Sequence, residues 1–178
     1  MDHRDHVYLL SGGIPTRGGT WADFGSGAGA FTLALADLVG SQATIYSIDR
    51  DKRQLSTQQL AFRAFFKSRA APNIVYLEAD FTGPISLPAL DGLVMANALH
   101  FYQDKEILLR SIITYLKPGG CLLLVEYNLE RGNPWVPWPI GYSAWEELTK
   151  EVGLHHTRLL ARHPSRTMKE IYSAISYK

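Results

Sequence analysis

Trp21-Ala22-Asp23-Phe24-Gly25-Ser26-Gly27-Ala28-Gly29 decides how the rest of the chain is read. A short apolar segment runs into the glycines, and an apolar stretch over 30–39 that reads as helix runs out of them. Glycine at every second position lets a strand turn sharply and brings backbone amides close to a ligand, because no Cβ stands in the way. The helix that follows aims its amino-terminal dipole at the same point. Residues 43–48 then read as a second strand ending on Asp49, whose carboxylate sits where a ribose would be held by its hydroxyls. The pattern predicts a nucleoside-type cofactor lying across the carboxyl ends of a parallel sheet.

Further along, strands and helices alternate. A helix is expected over 51–69, capped by Asp51, with Leu55, Phe62, Phe65 and Phe66 on its apolar face. Strands are expected at 74–77 and 90–96, separated by a proline-containing loop over 82–89. A helix over 104–116 leads through the turn Lys117-Pro118-Gly119-Gly120 into 121–125, a continuous apolar run suited to a strand covered on both faces. Gly40 reads as the left-handed cap of the first helix. Strands alternating with helices imply parallel pairing and right-handed crossovers.

After Tyr127 the rhythm changes. Residues 128–142 hold three prolines and two tryptophans and form no regular element. Ser143 and Glu146 have capping-box spacing and open a last helix that Gly153 ends. Two strands, 154–162 and 169–177, follow; only about six residues join them, too few for a crossover helix, so the pair is expected to be antiparallel. The 178 residues are read as one domain: an arm or lid at 1–19, a cofactor-binding core at 20–127, and an acceptor-side segment with the closing strands at 128–178.

Bulk properties narrow the class. The chain is 46% hydrophobic and 20% charged with net charge +1, so no strong field marks it for nucleic acid or a membrane surface. Cys121 is the single cysteine, and metal-ligand spacings are absent. The polar start lacks a signal core and no apolar run reaches about 18 residues, so a cytoplasmic protein is expected.

Asp23-x-Gly25-x-Gly27-x-Gly29, Asp49, Asp80-Phe81, residues 91–97 and Lys117-Pro118-Gly119-Gly120, in that order, resemble the class I S-adenosylmethionine-dependent methyltransferases. The resemblance covers 21–127 well. It implies a three-layer α/β sandwich on a seven-stranded sheet of order 3-2-1-4-5-7-6 with strand 7 antiparallel. It also implies roles for particular residues. The backbone at Gly25, Ser26 and Gly27 would pack against the methionine part of S-adenosylmethionine. Asp23 would hold its amino group, directly or through water, or brace the loop. Asp49 would accept both ribose hydroxyls, with Arg50 flanking the adenine. Asp80 would bond the adenine amine, Phe81 would lie against the ring, and Asn97 would line the methionine end near the sulfonium.

The acceptor side is read from fewer residues. His100 and Tyr102, at the mouth of the fourth strand, are the candidate bases for a hydroxyl acceptor. His3, His6 and Tyr8 are candidates to fold over the pocket. Trp135 and Trp138, stiffened by neighbouring prolines, are expected to wall a pocket for a small, partly apolar or aromatic molecule. Asn97-Ala98-Leu99-His100 departs from the Asn/Asp-Pro-Pro-Tyr/Phe of enzymes that methylate adenine or glutamine, which argues against such acceptors. Two other classes fit in part. One is a non-catalytic cofactor-binding subunit acting with a partner chain or as a homodimer. The other is an NAD(P) oxidoreductase, since Gly25-x-Gly27-x-x-Ala30 also satisfies the dinucleotide fingerprint. Against the latter, Asp23 would repel a pyrophosphate, and the closing strands are antiparallel.

Overall fold

The computed structural model describes residues 1–165 and 168–178. Its centre is a seven-stranded sheet of order β3-β2-β1-β4-β5-β7-β6. The strands are β1 (Gly19–Phe24), β2 (Ala43–Asp49), β3 (Asn73–Glu78), β4 (Leu90–Ala96), β5 (Leu116–Tyr127), β6 (His155–Ser165) and β7 (Lys169–Tyr177). The first five pair in parallel, and β7 runs antiparallel to both β5 and β6. The expected topology is therefore the one found.

Helices cover both faces. On one side lie α1 (His3–Ser11), α2 (Ala30–Val39) and α3 (Lys52–Phe65); on the other, α4 (Lys105–Ile112) and α5 (Tyr142–Glu151). Strand β5 shows why both are needed. Cys121, Leu123 and Val125 enter the core shared with α1 and α2, while Leu122 and Leu124 enter the one shared with α4 and α5. Successive side chains of a strand point to opposite faces, so an unbroken apolar run must be covered twice.

Several boundaries differ from expectation, each for a local reason. Helix α3 stops at Phe65, not 69. Phe66 is folded in against Phe62 with ring centroids 4.6 Å apart, and the unwound turn sets Arg69 over the Phe65 and Phe66 rings and against Asp37. Ser143 does not cap α5. The helix starts two residues earlier, at Tyr142 behind Gly141, and the Tyr142 amide is capped at 3.1 Å by Asn128 Oδ1, fourteen positions upstream. Residues 117–120 form a bulge within β5, where the register with β4 jumps from Leu90–Leu116 to Gly92–Cys121. Gly40 has φ 74 and ψ −176, a positive φ but not the left-handed helical cap expected.

The amino-terminal arm is a helix capped by Asp2 and Asp5 in a reciprocal box. It lies along α2, with Leu9 and Leu10 fully buried and His6 against Phe31. No helix among the described residues is long and apolar enough to cross a membrane.

Candidate cofactor site

The site grows from the end of β1. Gly25, Gly27 and Gly29 have φ of +77, +52 and +86, a region that L side chains rarely adopt. The amides of Gly25 and Ser26 both donate to the Ile48 carbonyl (2.9 and 3.0 Å), folding the turn back onto β2. A Cβ at Gly25 would stand 2.8 Å from Ala98 Cβ and 3.3 Å from Phe81, closing the space between the β1 and β4 tips. At Gly27 the same direction is open.

Asp49, at the tip of β2, ties this turn to the next helix. Its Oδ2 accepts from the Gly27 amide at 2.7 Å and its Oδ1 from the Asp51 amide at 2.8 Å. Each oxygen keeps a further lone pair, so the carboxylate is oriented but not saturated.

A cavity of about 320 Å³ opens above the tips of β1, β2, β3 and β4, within the range of small-molecule sites. Gly25, Asp49, Arg50, Asp80, Phe81 and Asn97 line it, with Ala79, Ala98, Phe101 and Tyr102. Phe81 is buried, stacks on Phe24 at 5.8 Å and meets Tyr102 edge-on at 5.4 Å. Asp80 Oδ1 accepts from the Thr82 amide and hydroxyl, and these bonds hold the carboxyl below the usual range and charged. Asn97 has φ 51, and its side-chain oxygen is buried without a partner. A left-handed backbone and an unpaired buried acceptor thus coincide at one cavity residue.

Not every expected residue reaches this cavity. Asp23 is buried beneath the turn, where its Oδ2 accepts from Thr32 Oγ1 at 2.5 Å. Burial pushes its pKa up to about 7; the Thr32 hydrogen bond opposes this and the Asp49 charge adds to it. Asp23 therefore braces the loop. Its supposed repulsion of a pyrophosphate loses force, since burial favours its neutral form and it stands off the wall. Ser26 Oγ lies 2.8 Å from Ser47 Oγ, and neither Ser26 nor Gly27 is on the cavity wall.

His100 sits in a 3-10 turn over Leu99–Phe101, is only 2% exposed and does not line the cavity. Its Nδ1 is 2.7 Å from Glu126 Oε2. Glu126 Oε1 accepts from the Leu99 and His100 amides at 3.0 and 3.1 Å. Tyr102 does line the cavity, and burial raises its pKa, keeping it a phenol at neutral pH.

Trp135 and Trp138 are 74% and 44% exposed and lie off the wall. Their loop is pinned by Asn133 Oδ1, which accepts from the Trp135 and Val136 amides, and by the Trp138 amide, which donates to the His100 carbonyl at 3.0 Å. His3 and His6 are packed on the α2 side, against Phe65 and Phe31, and Tyr8 is exposed. None of the three lines the cavity; the start of α1 instead walls a second crevice, where Asp5 pairs with His163 at 3.1 Å.

Glu126 and Gln58 escaped the sequence reading. Each had a signal: Glu126 ends a wholly apolar run, and Gln58 falls on the apolar stripe of its helix between Leu55 and Phe62.

Sheet order, glycine turn and acidic strand tips define the class I S-adenosylmethionine-dependent methyltransferase superfamily, whose cofactor is S-adenosylmethionine. The sequence matches the methyltransferase domain family over residues 22–124, more than half of the chain, and the chain belongs to that family. It is 29% identical over 107 residues to the ubiquinone/menaquinone biosynthesis C-methyltransferase UbiE of Wigglesworthia glossinidia brevipalpis, covering 60% of this chain and 42% of that protein. It is 34% identical over 119 residues to acetylserotonin O-methyltransferase of Mus musculus, covering 62% and 29% respectively. The chain thus spans less than half the length of these curated relatives. Among solved structures, a SAM-dependent methyltransferase from Aquifex aeolicus superimposes with TM-score 0.74 at 19% identity, over 97% of this chain and 89% of that one. An arsenic(III) S-adenosylmethionine methyltransferase from Chlamydomonas reinhardtii does so with TM-score 0.72 at 17% identity, over 92% and 65%. At these identities the likeness establishes the fold.

The residues present fit the cofactor. Asp49 has free acceptor capacity for two hydroxyls, Asn97 offers an unpaired carbonyl oxygen, and the absent Cβ of Gly25 leaves the approach open.

Proposed function

We propose that this chain binds S-adenosylmethionine in the cavity above the strand tips and moves its methyl group to a small, partly apolar or aromatic acceptor by in-line displacement. The supporting observation is the shared wall: Gly25, Asp49, Asp80 and Asn97, from four different strand tips, face one cavity. The bound cofactor would supply a methyl group already activated by its sulfonium.

The chain's own task is to hold, orient and dry the reactants. Asp49 fixes the sugar end through its spare lone pairs. Asp80 and Phe81 hold the base by a charged acceptor and an apolar face. The Asn97 oxygen meets the polar, cationic end. Tyr102 presents a phenol as a hydrogen-bond donor on the wall. His100 is assigned to positioning: with Nδ1 committed to Glu126, it secures the turn that carries Phe101 and Tyr102. An acceptor atom nucleophilic in its own right then needs little proton transfer.

A small acceptor is supported by three features. Net charge is near zero, the β4 tip lacks paired prolines, and the relatives are named for quinone biosynthesis and acetylserotonin. Phe101, 59% exposed at the cavity mouth, and Trp138, whose loop is bonded to the same turn, offer it flat apolar surface.

Calorimetry with S-adenosylhomocysteine and NADH tests the cofactor: the first binds and the second does not. Tighter NADH binding would restore the oxidoreductase alternative. Turnover of labelled methyl groups by the isolated protein, against a panel of small aromatic acceptors, tests the reaction. Binding without turnover across the panel would point to a cofactor-binding subunit needing a partner or a second copy, to which the exposed Trp135 would then belong.

A further inference from the structure

Beneath the glycine turn runs a chain of buried polar side chains that belongs to no part of the cavity wall. Gln58, from the middle of α3, is its centre. Gln58 Nε2 donates to Thr32 Oγ1 at 2.6 Å, and Thr32 donates on to Asp23. In the other direction Gln58 Oε1 accepts from Ser47 Oγ at 2.7 Å, and Ser47 meets Ser26. Ser47 has one hydroxyl proton and an amide oxygen can only accept, so Ser26 supplies the proton of that last link. The donors therefore point one way, from Ser26 in the turn to the carboxyl of Asp23. Five buried side chains from β1, the turn, α2, β2 and α3 are joined, and only Ser26, in the turn, keeps slight exposure. Gln58 also fills the space under the turn: a Cβ on Gly29 would lie 2.1 Å from its Cγ.

We propose that Gln58 is a positioning residue for cofactor binding, one that holds the glycine turn through Ser47 and Ser26 and aligns Asp23 through Thr32. This rests on the cofactor site proposed above. The physical reason is the cost of loose ends. Without the Gln58 amide, Thr32 loses the donor on its oxygen and Ser47 the acceptor of its proton, each keeping only its outer link to Asp23 or Ser26, and the turn regains freedom that ligand binding must then remove. The Gly25 and Gly27 amides and the Asp49 carboxylate are set by that turn, so α3 acts on the ligand without touching it.

The test compares Gln58→Met, which keeps the volume and deletes both hydrogen bonds, with Gln58→Glu and with Leu109→Ala. Leu109 is buried in the opposite layer and controls for lost stability. The readouts are S-adenosylhomocysteine affinity by calorimetry and melting temperature. Gln58→Met is expected to bind about tenfold more weakly, the scale of one to two lost hydrogen bonds, while Leu109→Ala keeps wild-type affinity at an equal or larger melting loss. Gln58→Glu carries a signature that packing alone cannot produce. Protonated, the new carboxyl can make both bonds; ionised, it loses its donor and repels Asp23. Its affinity relative to wild type should therefore be near one at pH 5 and fall as pH rises. Wild-type affinity in Gln58→Met, or a pH-independent ratio in Gln58→Glu, overturns the assignment. Wild-type protein that binds no S-adenosylhomocysteine overturns the cofactor reading itself, and this inference with it.

Discussion

Two carboxylates from neighbouring strands have opposite fates, and both are measurable. Asp49 is half-exposed and oriented by the Gly27 and Asp51 amides, so it can serve a ligand. Asp49→Ala is predicted to weaken S-adenosylhomocysteine binding by ~1–3 kcal/mol, the scale for hydrogen bonds to a charged group; unchanged calorimetric affinity would remove the ribose assignment. Asp23 is buried, and its pKa stands at about 7 in the fold against an ordinary 3.8. The folded state thus binds the proton more tightly. This group's contribution to stability is fully present below pH 3.8, declines as pH rises and is lost as pH passes about 7. Urea titrations between pH 4 and 8 should show stability falling, with a slope on the order of 1 kcal/mol per pH unit at most. Asp23→Asn should flatten that slope and exceed wild type at pH 8. A wild-type profile as flat as the variant's would mean that Asp23 is ionised in the fold.

Among the elements, the carboxyl ends of β4 and β5 are joined by Glu126 rather than by packing alone. One carboxylate satisfies two backbone amides and an imidazole, all out of water. Glu126→Ala leaves three donors without partners and should cost about 3–5 kcal/mol, as for breaking a buried pair, read as a lower urea midpoint. A loss under about 1 kcal/mol would show the turn to be held by its neighbours instead. The strands themselves were legible in advance. Apolar runs and glycine punctuation mark the strands, their alternation with helices gives parallel pairing, and the short final connection gives the antiparallel pair, while the strand order followed from the family resemblance. Helix ends were less legible, because α5 takes its cap from Asn128 and α3 unwinds to let Arg69 reach Asp37 and two phenyl rings. The Asn128–Tyr142 and Arg69–Asp37 contacts join residues far apart in the chain, and no local spacing encodes them.

Across the whole molecule, the cavity lies on the carboxyl rim where five parallel strands end, and the aromatic loop after β5 reaches the same rim through the Trp138–His100 hydrogen bond. Trp138→Ala is predicted to raise the acceptor KM severalfold with S-adenosylhomocysteine affinity intact, and Trp135→Ala to leave the melting temperature unchanged given its exposure. An unaltered KM in both variants, with the fold preserved, would remove the loop from the acceptor side. The sequence alone determined the alternation of strands and helices, the glycine turn, the antiparallel final pair and which acids stand near strand ends, because these follow from local rules: where Cβ is absent, where a strand must stop, how far a short loop can reach. The order of the strands came from the family resemblance. Only the tertiary structure decided which of those acids faces the cavity. Asp23, Asp49 and Asp80 all fall near the carboxyl ends of neighbouring strands, yet one is buried against Thr32 of α2 and two face the cavity. Burial and partnership depend on what long-range folding brings alongside, here Thr32, Gln58 and Glu126.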